Sequence, residues 1–409
     1  MVDVQNIIFI VFIVVMSILL YLNRSKIQVQ KLLGPFLYFV MLKTTLGLKA
    51  MDWLGSKLRK PFQWFGVISV IVGFTGMGFI VYQLIKSTIL LFTQPGAAPG
   101  IAPVLPFAAK GVFYVPPSYW IISIFVIAVI HEFSHGVVAR AFNIPVRSSG
   151  FAFLGALVPI IPAAFVEPDE EQLKKRSIWQ QLSVFAAGPG ANIFMAALMI
   201  FVLGIQLPFL PAGIVEHTTI VDIGSMQANL LEYTGVLITS VAPGSPADKA
   251  GLRAGQTITE FNGIPVSEGN KVFDLIVGRQ PGETVLVKTE VGEKTMVLTE
   301  TPNQPELGYM GIGLKWQTRY APESVEKYGN LGAAFLYFLV TLTIWIFLLS
   351  LGIGLFNLVP LGPIDGGRMF KLVMERLTGS DESGTMIWKL VSWGILGIIL
   401  VNLVIGFVG

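Results

Sequence analysis

The chain has 409 residues, 53% of them apolar and 13% charged, with a formal net charge of +3 at pH 7. That balance excludes a soluble globule of this size and indicates a polytopic membrane protein in contact with a lipid bilayer. The small positive excess is no nucleic-acid signature, and the lack of cysteine excludes a disulfide framework, a thiol nucleophile and cysteine-held zinc.

Residues 7–22 form an apolar run preceded by Asp3 and followed by Arg24, Lys26 and Lys31. A cleavable signal carries its positive charge in front, so an uncleaved first span with its N-terminus outside is expected. Residues 32–66 mix apolar runs with Lys43, Lys49, Lys57, Arg59 and Lys60. A basic cytosolic segment lying on the membrane is expected there, with a short span over residues 33–48 as the alternative. Residues 67–85 read as the second span and lead to a Pro/Gly/Ala-rich connection whose only basic residue is Lys110, which places it outside.

Residues 119–141 read as the third span and carry His131-Glu132-Phe133-Ser134-His135, with two of the three histidines in the chain. On a helix, residues four apart share a face, so both imidazoles can reach one zinc ion while Glu132 sits beside them. The uncharged stretch before the motif makes an ionisable group expensive there unless an ion, a partner or a water-filled cavity compensates it. Arg140 and Arg147 follow the motif, which places it toward the cytosolic side.

Residues 150–166 are apolar but contain Pro159 and Pro162, and are too few to cross and return. A re-entrant or strand-like loop walling the metal site is expected. Residues 178–207 read as the fourth span and carry Gly188-Pro189-Gly190-Ala191-Asn192. Asn192 is either a helix–helix hydrogen-bonding residue or a donor to a developing oxyanion.

From 208 to 330 hydropathy falls, and short strands are expected at 236–241, 257–261, 284–288 and 294–298, with short helices at 246–250 and 270–276. This is expected to be a small folded domain outside the membrane. Residues 331–359 read as the fifth span, which Pro360 and Pro363 must break before Asp365. Residues 388–408 read as the sixth. Asp365 is then brought to the depth of His135 on irregular backbone, either as a third zinc ligand or as a turn residue before Gly366.

Three motifs together resemble the site-2 protease family of intramembrane zinc metalloproteases: His131-Glu132-Phe133-Ser134-His135, Gly188-Pro189-Gly190-Ala191-Asn192, and Asn357-Leu358-Val359-Pro360-Leu361-Gly362-Pro363-Ile364-Asp365-Gly366. The resemblance implies that His131, His135 and Asp365 bind zinc, that Glu132 is the catalytic acid/base, and that Asn192 belongs to the active site. Residues 244–258 are similar to a protease-type PDZ domain, with Gln256 where that pattern has Asp, over about residues 230–302. That likeness implies a substrate-binding carboxylate turn at Tyr233, Gly235 and Val236, taking a peptide C-terminus by strand addition. The alternative for this domain is a spacer that excludes bulky substrates.

The expected architecture is about six transmembrane helices with a re-entrant strand-like loop and one inserted, β-rich PDZ-like extracytoplasmic domain. The divisions are 1–66, 67–207, 208–330 and 331–409. The expected activity is zinc-dependent cleavage of the transmembrane segment of another membrane protein, in a prokaryotic cell membrane. A non-catalytic PDZ-bearing scaffold and a metal transporter are the alternatives.

Overall fold

The computed structural model describes residues 4–33, 37–94, 97–155, 159–206, 230–267, 279–301 and 304–408. They divide into two compact units, Met1–Leu203 with Leu342–Gly409, and Gly204–Thr341.

The first unit opens with α1 (Val4–Leu22), followed by the hairpin β1 (Ile27–Leu33) and β2 (Leu37–Thr44). Then come α2 (Leu48–Lys57), α3 (Arg59–Thr93), the short strands β3 (Val104–Leu105) and β4 (Phe113–Tyr114), and α4 (Pro117–Ala141). Next are β5 (Val146–Gly155), β6 (Pro159–Pro168), α5 (Glu170–Lys174) and α6 (Ile178–Gln206).

The second unit contains β7 (Leu231–Val241), α7 (Pro246–Lys249), β8 (Thr257–Phe261) and β9 (Ile264–Pro265). It continues with β10 (Thr284–Thr289), β11 (Gly292–Val297), β12 (Thr299–Thr301), β13 (Gln304–Tyr309) and β14 (Ile312–Tyr320). The chain ends with α8 (Pro322–Asn357), α9 (Asp365–Thr378) and α10 (Asp381–Val408).

Among the described residues, five helices are long and apolar enough to cross a membrane: α3, α4, α6, α8 and α10. The apolar stretch Phe9–Leu22 of α1 is shorter. Helix α3 runs 35 residues and starts at Arg59, well before the expected start at 67. Pro117 opens α4, where its missing N–H costs nothing. Asn143, at φ 57, turns the chain out of α4 toward β5.

The basic segment after α1 does not contain the span helix offered as the alternative for residues 33–48: Ile27–Leu33 and Leu37–Thr44 are two strands of an antiparallel sheet ordered β1-β2-β5-β6. Strand β2 pairs with β5 with Lys43 opposite Gly150, and β5 pairs with β6 with Phe151 opposite Ala164. The expected strand-like loop is thus the β5–β6 hairpin, and β6 is an edge of the sheet. Its prolines are tolerated there, because an edge strand need not donate on its open side. Helix α2 buries Met51 and Gly55 against α4 while Trp53 is exposed.

The second unit is a sheet ordered β11-β10-β8-β7-β14, with β9 on β8. Its core includes Val236, Ile238, Leu252, Ile258, Phe261 and Val287. The expected strands are present, and the expected helix at 246–250 is α7. The helix expected at 270–276 lies outside the described residues. Strand β14, which pairs with β7 along Leu231 to Val241, extends the sheet beyond the expected limit near 302. Helix α8 is broken at Gly329, whose φ of 70 is open to glycine alone without strain.

Candidate active site

Four stretches converge in the first unit: α4, β6, α6 and the start of α9. Successive turns of α4 carry His131 and His135 on one face, with ring centroids 4.9 Å apart. Asp365 approaches from the far end of the sequence. Its Oδ2 lies 3.0 Å from His131 Nε2 and 3.4 Å from His135 Nε2.

Asp365 is held there by the way α8 stops. The helix ends at Asn357, and Leu358 and Val359 are fully buried. The following loop is pinned to α10 by Ser392, whose hydroxyl donates to the Pro360 carbonyl and accepts from the Gly362 N–H at 3.2 Å each. Asp365 is the first residue of α9 rather than part of the irregular loop as expected from the prolines. Gly366 has to be glycine, because a Cβ there would run into the carbonyl oxygens of Leu358 and Val359.

The second ring nitrogens settle how the imidazoles face the cluster. His135 Nδ1 lies 2.6 Å from the Val184 carbonyl. A carbonyl only accepts, so Nδ1 carries a proton and Nε2 is the nitrogen that faces Asp365. Pro189, inside the same helix, lacks the N–H that would bond the Phe185 carbonyl one turn back, next to Val184.

His131 Nδ1 meets the fully buried carboxamide of Asn192 at 3.0 Å through Nδ2, which leaves Asn192 Oδ1 buried with no partner. A half-turn of the carboxamide exchanges its oxygen and nitrogen. Oδ1 then accepts from an Nδ1–H, the orphaned oxygen is satisfied, and His131 also turns Nε2 to the cluster.

His131, His135 and Asp365 place one ligand atom each within 4.8 Å of one another. Two imidazoles and a carboxylate, with no thiolate, form a nitrogen/oxygen donor set suited to a catalytic zinc ion with an open position. The donor set fits a metal at this point.

Glu132 lies beside the cluster, and its Oε2 accepts from the Val166 N–H of β6 at 3.1 Å. A cavity of about 730 Å3 opens over the site, lined among others by His131, Glu132, Val166, Asn357 and Asp365. At its rim Arg368 donates to Glu170 at 2.9 Å and lies 4.9 Å over the Phe185 ring.

Of the residues expected to act, His131, His135, Glu132, Asn192 and Asp365 are brought together. Asn192 touches the far nitrogen of His131, a hydrogen bond between α6 and α4 of the kind offered as the first of its two alternatives. Tyr233, Gly235 and Val236 lie in the second unit and form no turn: all three are inside β7 and pair with β14, and Val236 pairs with β8 as well. Val236 is a fully buried core residue, and the Tyr233 ring packs 5.1 Å from that of Trp316. Pairing with β8 on the other side of β7 reaches only Val236 and Leu237. Among the described residues, the edges of this sheet are β11 and β14.

Sequence reasoning missed three contributors. The Val184 carbonyl and the Val166 N–H are backbone groups, which carry no letter. Gly188 was visible only as part of a motif: a Cβ there would collide with Nε2 of both His131 and His135.

The sequence matches the description "Peptidase family M50" over residues 119–399. It is 27% identical over 92% of its length to an uncharacterized protein of Methanocaldococcus jannaschii, covering 87% of that chain. It is 21% identical to a protein of Clostridium acetobutylicum named as a zinc metalloprotease, over 61% of this chain and 79% of the other. It is 25% identical to an Arabidopsis thaliana protein named as a chloroplastic membrane metalloprotease, over 52% of this chain and 56% of the other. Among solved structures, the PDZ domain of an SdrC-like protein from Listeria monocytogenes is 29% identical over 20% of this chain and 88% of its own, with a TM-score of 0.18. The family match spans the metal cluster, the Gly-Pro-Gly helix and the broken α8, and the chain belongs to peptidase family M50, the site-2 proteases, as a membrane metalloprotease.

Proposed function

We propose that this protein is a zinc-dependent endopeptidase that hydrolyses a peptide bond in a transmembrane segment of another membrane protein. The observation that carries the reading is the meeting of His131, His135 and Asp365 within 4.8 Å beside Glu132, with both histidines on α4, a helix of membrane-spanning length. His131, His135 and Asp365 would hold the ion. When bound, zinc supplies the Lewis acidity that makes water acidic near neutral pH and polarises an amide carbonyl.

The chain's own groups do the rest. Glu132 takes a proton from the attacking water and returns it to the leaving amine, and the Val166 N–H holds that carboxylate in place. A substrate helix hides its carbonyls in its own hydrogen bonds, so it has to unwind locally before it can react. The outer edge of β6 fits such an unwound stretch as an added strand. Val166 turns its N–H away from β5 toward Glu132, so Ala164, two residues earlier, faces the same open side, and Pro162 has no N–H to leave unpaired there.

The charge pattern supports a site toward the cytosol, with Arg140 and Arg147 after α4 and Arg368, Lys371 and Arg376 after the break in α8. Counting α1 as a span gives six spans and puts the region between α6 and α8 on the extracytoplasmic side.

Full-length protein in detergent, assayed on model single-pass substrates and for bound zinc, tests the reading. Glu132→Gln is expected to lose cleavage and keep zinc, while Asp365→Asn loses both. Cleavage that survives in Glu132→Gln would overturn it.

A further inference from the structure

A second cavity, of about 250 Å3, is lined by Glu132 but by none of His131, His135 and Asp365. Glu132 and Val166 line both cavities and form a wall common to them. The remainder of the second cavity comes from four places: Thr44, Leu46 and Gly47 after β2, Met51 of α2, Val129 and Phe133 of α4, and the β5–β6 hairpin.

The lining is apolar in effect as well as in composition. The two hydroxyls present are already used: Thr44 Oγ1 donates to the Ser149 carbonyl and accepts from the Leu46 N–H, and Ser149 Oγ donates to the Leu46 carbonyl. Neither is left to bind a guest. Phe151 is fixed by stacking on Phe125 at 5.7 Å, and Gly150 leaves room for the Phe165 ring beside it. The one charged group on the wall is Glu132. A dry apolar cavity of ~150 Å3 already takes a guest the size of benzene.

We propose that this cavity is the specificity pocket of the protease, receiving the side chain of the substrate residue next to the scissile bond and selecting a leucine, methionine or phenylalanine. The proposal rests on the zinc-protease reading. A backbone lying along β6 with its carbonyl at the ligand cluster passes directly over Glu132, so an adjacent side chain drops into the space behind it. A polar side chain finds no partner there and gives up its hydration, which such a site rejects. A glycine or alanine leaves the space unfilled. Side chains from β6 and from the β2–α2 turn thereby decide which transmembrane residue can be cut.

The test uses the zinc-loaded full chain in detergent and peptidyl hydroxamates, which chelate zinc and here differ only in one side chain: glycine, aspartate, leucine, phenylalanine or tryptophan. Affinity is read as inhibition and as a shift in the thermal midpoint. The wild type is expected to bind the leucine or phenylalanine compound at least ~10-fold more tightly than the glycine or aspartate one. Phe165→Ala, which enlarges the pocket, is expected to move the optimum toward tryptophan, and Val129→Phe, which narrows it, toward glycine. The glycine compound depends on chelation alone, so its unchanged binding shows that each variant retains its site. Glycine binding with no side-chain ranking, or a ranking that neither variant moves, overturns the pocket and leaves the protease reading standing. A wild type that binds none of the compounds overturns both.

Discussion

At the scale of single residues, the site depends on groups that do no chemistry. Gly188 is the sharpest case. Alanine is ordinarily the better residue inside a helix, by roughly 0.5–1 kcal/mol. Here an added Cβ would displace the imidazoles of His131 and His135 together. Gly188→Ala is therefore expected to keep a helical, folded protein while weakening zinc by about 10–100-fold, the equivalent of ~1–3 kcal/mol of overpacking. Competition with a fluorescent chelator measures this, and circular dichroism shows whether the helices remain. Asn192 acts one bond further out. With leucine in its place His131 Nδ1 loses its partner, and zinc affinity should fall by about 10–100-fold. Asn192→Asp, which keeps an acceptor at that point, should recover part of the loss.

At the scale of elements, the helices supply position, and the hairpin is the track proposed for the substrate. Helix α4 presents two ligands by its periodicity alone, whereas Asp365 depends on where α8 ends and on Ser392 holding the loop after it. Edge strand β6 joins both roles, because its Val166 N–H holds Glu132 and its Ala164 faces the open side. Ala164→Pro removes one backbone donor from that edge without adding a charge. If the substrate pairs with β6, this variant should cut model substrates at least ~10-fold more slowly at unchanged zinc content. Normal cleavage by Ala164→Pro would place the substrate elsewhere.

At the scale of the whole molecule, the ligand cluster joins α4 to the start of α9, across 234 residues of sequence. An ion bound there stabilises only the state in which both are in place, by about 4 kcal/mol at a thousandfold excess over its dissociation constant. Stripping zinc with a chelator should lower the thermal midpoint and lose activity together, and Glu132→Gln should show the same drop although it never cleaves. A midpoint unmoved by the chelator would place the ion outside the fold's stability.

Much of this was legible in the order of residues, and for physical reasons. Membrane helices announce themselves by length and apolarity. The spacing of His131 and His135 is a helical repeat, and Pro360 with Pro363 requires a break before Asp365. The sheet beside the site was legible only in part: residues 150–166 read as strand-like because prolines ruled out a span, but residues 27–44 carry apolar and basic letters that suit an amphipathic surface segment as well as a strand. Only their pairing with β5 makes them a strand hairpin. Likewise the Tyr233–Val236 stretch matched a motif, and it became core because β14 arrives from eighty residues downstream to pair with it. The sequence by itself determined a membrane protein with two histidines, a glutamate and a remote aspartate able to serve one zinc site, since charges and periodicity are local properties. Tertiary structure alone decided which backbone groups orient those side chains, which strand keeps an open edge and where an apolar cavity lies behind Glu132, because hydrogen-bond partners and empty space exist only once distant segments meet.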